Sequence, residues 1–305
     1  MTIHKKYGGV IIPMITPFDK KLLIDQQAIE KILNAFVKAN VSPFVLGTTG
    51  ESVSISESQK TLLVKSVVKQ IKGRVKTFAG ISGNCLEESI NNAKLYAGLG
   101  VDAVVAHLPF YYPLSSNQML RYYEELANNI TCPLILYNNP ITTKYSIPLE
   151  VIATLSFHHN IVGVKDSERG MDRLDESIKL WKDRADFSYF VGWAAQSANG
   201  LKKGADGIVP STGNLTPMLY GQLYSAVKSG DFAKADALQD KANEISEIYQ
   251  KDKNLSQSIP ALKIMMSAVD LCEPYVLPPM YNLDETEQMN VRKATLLKMK
   301  ELVMN

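Results

Sequence analysis

A lysine and a tyrosine, each closing an aliphatic run, carry the sharpest chemistry in this sequence. Lys165 ends "IVGVK" at 161–165, and Tyr137 stands near the end of "PLILYN" at 133–138. A lysine walled by β-branched residues is desolvated, which favours the neutral amine and so a nucleophile able to form an imine with a ketone. Taken alone, such a lysine equally fits a stem packed on apolar surface, its ammonium reaching water or Asp166. Tyr137 can relay protons to an imine or hydroxyl, or be an amphipathic aromatic with a satisfied hydroxyl.

Two further stretches fit the same chemistry. In "GTTGES" at 47–52, Thr48 and Thr49 stand between glycines that let backbone approach a ligand, a turn able to hold a carboxylate through hydroxyl and N–H donors. Such a turn also joins strands to helices without any ligand, and Glu51 fits a brace of the loop as well as a chemical role. "PFYYP" at 109–113 offers Tyr111 and Tyr112, an aromatic pair suited to packing or an interface. The histidines, His4, His107, His158 and His159, have no liganding spacing, and Cys85, Cys132 and Cys272 are far apart and odd in number. No metal or disulfide framework is expected.

The elements that must position these groups alternate along the chain. Short apolar runs occur at 9–16, 43–47, 75–81, 102–109, 133–138, 161–165, 187–192 and 206–211. Several lack polar alternation, as parallel strands buried on both faces do. Amphipathic segments lie between them. Ile29, Ile32, Leu33, Phe36 and Val37 make one helical stripe; Leu63, Val64, Val67, Val68 and Ile71 make another, with Ser56 and Gln59 as a capping box and Gly73 as its stop. Eight strand–helix repeats predict a (β/α)8 TIM barrel over residues 1–229. Helical patterns at 231–250, 258–271 and 284–303 predict a three-helix extension over 230–305. In such a barrel Tyr137 and Lys165 end neighbouring strands, at the face where barrel enzymes do chemistry.

Exclusions narrow the function. No glycine-rich phosphate turn opens a helix, so nucleotide binding has no support. The 33 basic and 31 acidic residues, net +2, form no block suited to nucleic acid or an anionic membrane. The opening "MTIHKKYGGV" lacks an apolar leader and no apolar run reaches the length of a membrane span, so a soluble, unprocessed cytoplasmic protein is expected.

Together, "GTTGE", "PFYYP", "YNNP" and "GVKDS", one per strand and in this order, resemble the dihydrodipicolinate synthase/N-acetylneuraminate lyase family. The likeness extends to "GADGIVPSTGN" and "LPPM". It implies a metal-free, cofactor-free class I aldolase, lyase or dehydratase of 2-oxo acids. Such proteins assemble as homotetramers, dimers of dimers. By resemblance Lys165 is the Schiff-base lysine and Tyr137 the general acid/base. Thr48 and Thr49 hold the 2-oxo acid carboxylate, with Thr48 also in the proton relay, and Tyr111 is lent across the dimer interface to complete it. Val209 and Ser211 line the pocket.

Departures from family patterns bear on the substrate. Dihydrodipicolinate synthases carry an arginine five residues after the tyrosine, where this chain has Thr142; Lys144 lies two residues on and lacks the guanidinium fork. Sialic acid lyases carry an acidic pair that grips the polyol, where this chain has Trp193, Ala194 and Ala195 after Gly192. Thr142 and Trp193 are therefore expected to face a different substrate, a 2-keto-3-deoxy sugar acid or 4-hydroxy-2-oxoglutarate. Dihydrodipicolinate synthase, N-acetylneuraminate lyase and dehydratase activities are the enzymatic alternatives. A catalytically idle 2-oxo acid-binding regulator is the other class.

Overall fold

The aliphatic runs become strands because all their backbone groups find partners in a closed sheet, leaving both faces free to bury side chains. The computed structural model describes residues 5–304, so His4 lies outside the described residues. Its strands are β1 (Gly9–Pro13), β2 (Ser42–Val45), β3 (Phe78–Gly80), β4 (Ala103–His107), β5 (Leu134–Asn138), β6 (Ile161–Asp166), β7 (Ser188–Val191) and β8 (Gly207–Ile208). All are parallel and pair in chain order, and β1 closes on β8 through Gly9↔Gly207 and Val10↔Ile208. Alternate side chains, among them Ile11, Phe44, Phe78, Val105, Ile135 and Phe190, fill the barrel interior. The others pack outward beneath the helices.

The helices are α1 (Gln26–Lys38), α2 (Glu57–Ile71), α3 (Leu86–Leu99), α4 (Ser116–Asn128), α5 (Pro140–Thr143), α6 (Leu149–Leu155), α7 (Met171–Trp181), α8 (Ser197–Lys203), α9 (Pro217–Lys228), α10 (Phe232–Gln250), α11 (Leu255–Ala268) and α12 (Glu285–Met304). The stripes read from sequence are the buried faces of α1 and α2, with Val37 and Val68 at their half-buried margins. The capping box at Ser56 does not form: Gln59 Oε1 instead accepts from the Ile24 backbone N–H at 3.0 Å. Most strands are shorter than their apolar runs, β3 and β8 most of all. Thr77 N–H donates to the Asp102 carboxylate, so β3 begins only after it. Pro210 has no N–H to continue β8, and Ser211–Asn214 coils into a short 3-10 turn. The last helices start a few residues from their expected places, α11 at Leu255 rather than 258 because Gln257 Oε1 accepts from Asn254 N–H.

The extension is joined to the barrel by more than apolar contact. α10 packs on α8 and α9. The fully buried Lys263 of α11 pairs with Glu51, in the turn after β2, and donates to the Tyr275 carbonyl at 2.7 Å. The second Glu51 oxygen accepts from Leu277 N–H at 2.8 Å. Glu51 itself adopts a left-handed conformation, φ 58°, so this turn is held in an otherwise uncommon shape by a charge pair. Of its two sequence readings, the brace is the one observed. Burial pushes the Lys263 ammonium below its ordinary value, against the pull of Glu51. Removing one partner leaves the other charge buried and unpaired. Lys263→Met is expected to destabilise the protein by about 3–5 kcal/mol, measured by urea unfolding, and Glu51→Leu with Lys263→Met to recover part of that loss.

Candidate active site

β5 and β6 set the site through their register. Tyr137 pairs with Lys165 and Asn138 with Asp166 across the two strands. Because successive strand residues face opposite sides, Tyr137 and Lys165 point inward together while Asn138 and Asp166 point outward together. Lys165 is 6% exposed, and its Nζ lies 3.8 Å from the Tyr137 ring centroid and 5.0 Å from that of Phe44. Two aromatic faces thus receive the cation, as a quadrupole attracts positive charge. Asp166 does not pair with Lys165, as the simpler reading of the sequence allowed; its carboxylate bonds Arg173 at 2.8 Å on the other side of the strand.

The outward residues form a satisfied polar brace. Asn138 Nδ2 donates to Asp166 and Glu168 at 2.8 Å each, and Arg173 bridges the same two carboxylates. Asn138 Oδ1 accepts from Ile147 N–H, and Arg173 donates to the Ile147 carbonyl. Burial raises the Asp166 carboxyl above its ordinary value, with Arg173 and the hydrogen bonds opposing that shift.

Inside the barrel, the Thr48, Lys165 and Ser167 side chains surround the Tyr137 hydroxyl. Asn139 Nδ2 donates to that hydroxyl at 3.1 Å and to Thr48 Oγ1 at 3.4 Å. Burial alone would raise the phenol; the Lys165 cation and these hydrogen bonds outweigh it and hold Tyr137 below the ordinary phenol value. A phenol easily deprotonated beside an amine suits proton transfer at a carbonyl carbon.

These groups open into a cavity of about 800 Å3 that also takes in Thr49, Trp193, Val209 and Ser211. α10 and α11 close its far side with Tyr249, Gln250, Ser258 and Leu262. Ser211 Oγ and the Tyr249 hydroxyl are 2.7 Å apart, so Ser211 is anchored to the extension. Gly192 is required at the wall: a Cβ there would collide with Ser167 Oγ and the Asp166 carbonyl.

Two candidate residues lie elsewhere. Thr142 does not line the cavity; its hydroxyl turns back to the Asn139 carbonyl at 3.1 Å, because a threonine in the last turn of a short helix finds that acceptor within reach. The residue expected to face the substrate thus has its hydroxyl engaged by backbone. Lys144, on the exposed side, bonds the Ile141 carbonyl and does not replace an arginine there. Tyr111 is 73% exposed and stacks edge-on against Tyr112, outside the cavity of its own chain. Sequence reasoning missed Asn139 and Ser167, although both sit inside the quoted "YNNP" and "VKDS", and it missed Arg169 at the rim. Tyr249, in the last turn of α10, had no local signal. Among the described residues, no group of three or more His, Cys, Asp or Glu side chains could hold a metal ion, and no helix is long and apolar enough to cross a membrane.

A closed parallel barrel with an inward lysine and tyrosine on adjacent strand ends is the architecture of a lysine-centred barrel protein. Residues 6–298 match the Dihydrodipicolinate synthetase family, and the chain belongs to it. It is 30% identical over 285 residues to the Escherichia coli (strain K12) protein named "Probable 2-dehydro-3-deoxy-D-pentonate aldolase YjhH", covering 92% of this chain and 94% of that one. The solved dihydrodipicolinate synthase of Bacteroides thetaiotaomicron superposes with a TM-score of 0.90 at 30% identity, covering 96% of this chain and 99% of that one. YagE from Escherichia coli K12, solved in complex with pyruvate, gives a TM-score of 0.90 at 26% identity over 96% of this chain and 99% of its own.

Beside the site, burial lowers His107 below its ordinary 6.5, partly offset by its bond to the Leu108 carbonyl, and Lys165 lowers it further. A depressed histidine contributes stability that is present above the unfolded value and lost as pH falls through about 6.5 toward the folded one. Urea midpoints followed from about pH 7 to about pH 5 should fall less steeply in His107→Gln than in the wild type.

Proposed function

We propose that this protein is a class I lyase/aldolase that makes or breaks a carbon–carbon bond of a pyruvate-derived 2-oxo acid through an imine on Lys165. The observation that carries this reading is the Lys165 amine buried against the Tyr137 ring, with Asn139 linking the Tyr137 hydroxyl to Thr48. The Lys165 nitrogen adds to the C2 ketone and water leaves, giving a protonated imine. In the cleavage direction Tyr137 accepts the proton of the C4 hydroxyl, the C3–C4 bond breaks, and its electron pair moves into the imine to form an enamine while an aldehyde departs. Protonation at C3 and hydrolysis return pyruvate and free Lys165. The imine supplies the electron sink, so the reaction needs neither metal nor organic cofactor.

Thr48 and Thr49 hold the C1 carboxylate, and Thr48 passes protons between Tyr137 and Tyr111. Tyr111, exposed on its own subunit, enters the relay of a partner across the dimer interface of a homotetramer. Val209 and Ser211 shape the pocket floor, Trp193 one wall. The substrate is a 2-keto-3-deoxy sugar acid or 4-hydroxy-2-oxoglutarate, a reading supported by the names of the bacterial relatives and by the absence of an acidic pair at Ala194 and Ala195. The synthase reaction with aspartate semialdehyde is disfavoured because Thr142 is turned to backbone. The protein acts in the cytoplasm.

Borohydride reduction in the presence of pyruvate should add a covalent mass to Lys165, located by peptide mass spectrometry; a wild-type enzyme left unmodified would remove the imine mechanism. Tyr137→Phe should lower kcat by about 100- to 10,000-fold while adduct formation suffers far less. Equal loss in both would deny Tyr137 the proton-transfer role.

A further inference from the structure

The cavity is far larger than a three-carbon acid requires, and its charges are unevenly answered. Four ionisable chains of the Asp, Glu, Lys and Arg types line it: Lys165 at the floor, then Glu168, Arg169 and Lys253 toward the mouth. Glu168 is answered by Arg173 and by Asn138, and Lys253 by Glu287 at 2.7 Å. Among the described residues the Arg169 guanidinium makes no hydrogen bond or ion pair, and the residue is exposed at the rim of the cleft. The one carboxylate among the cavity's lining residues, Glu168, is already engaged by Arg173, Asn138 and Ser146.

Arg169 lies four residues beyond Lys165, so their Cα atoms are at most about 14 Å apart. A long side chain at that distance reaches the far end of a short-chain acid tethered at Lys165. A guanidinium presents a planar fork that carboxylate and phosphate oxygens fill in pairs, and a neutral hydroxyl gains less from it. With the C1 carboxylate at Thr48 and Thr49 and the Lys165 nitrogen taken up by the imine, Arg169 is the remaining lining cation without a carboxylate partner, within reach of the substrate's tail.

We propose that Arg169 is a specificity-determining residue that binds an anionic group on the aldehyde-derived end of the substrate, so that the enzyme takes a dianionic 2-oxo acid. This rests on the Schiff-base reading above and sharpens it from a sugar acid of any tail to one ending in carboxylate or phosphate.

The test is condensation of pyruvate with glyoxylate, with glyceraldehyde 3-phosphate and with neutral glyceraldehyde. Wild-type kcat/KM should be higher for at least one anionic aldehyde than for the neutral one. Arg169→Gln should lower that anionic-to-neutral ratio by about 10- to 100-fold, with partial recovery in Arg169→Lys. Which anionic aldehyde loses most identifies carboxylate or phosphate as the group bound. A wild type that favours glyceraldehyde, turns over none of the three, or keeps its ratio in Arg169→Gln overturns the subsite. Borohydride trapping of pyruvate on the same wild-type sample separates the two levels. A normal adduct with an unmoved ratio defeats the subsite alone, whereas no adduct defeats the imine and the subsite with it.

Discussion

The register between β5 and β6 is the constraint on which the site depends. One pairing sets Tyr137 and Lys165 side by side; the next, Asn138 with Asp166, ties the same two strand ends together from behind. A slip of one residue would exchange the two pairs, burying a carboxylate in the barrel and turning the amine toward the helices. Arg173, Glu168 and Ile147 complete the hydrogen bonding behind the sheet, so the slipped arrangement forfeits a whole network rather than one bond.

The same arrangement explains how a lysine is tolerated in an apolar interior. Its Nζ faces aromatic rings instead of a carboxylate, and a hydroxyl network takes up the polar groups around it. Asp166, the adjacent acid in sequence, is kept away by strand alternation and given Arg173 instead. The cation acts on its neighbour as well, since it is the main force holding the Tyr137 phenol below its ordinary range.

The barrel was legible because burial on both faces of a parallel strand leaves an unmistakable aliphatic run, and because amphipathic helices separate the runs. Lys165 and Tyr137 stood out as polar groups closing such runs. What could not be read is long-range. Tyr249 looks like any helix residue until α10 folds over the cavity, and Gln59 looks like a cap until Ile24 comes within its reach. Thr142 was assigned to the substrate by position, whereas the local geometry of α5 gave its hydroxyl a backbone acceptor. Arg169 gave no periodic or motif signal; only the count of answered and unanswered charges around the cavity singles it out.

The pair between Glu51 and Lys263 also has a temporal side. The hydrogen bond from Leu277 to Glu51 spans 226 residues, nearly the length of the barrel. At translation rates of about 5–20 residues per second, the turn that presents Thr48 and Thr49 waits on the order of tens of seconds after emerging from the ribosome for the groups that hold its shape. A growing chain that has already laid down Lys165 and Tyr137 therefore still lacks the finished turn that carries Thr48 and Thr49. Assembly of the site is a late event, coupled to completion of the polypeptide itself.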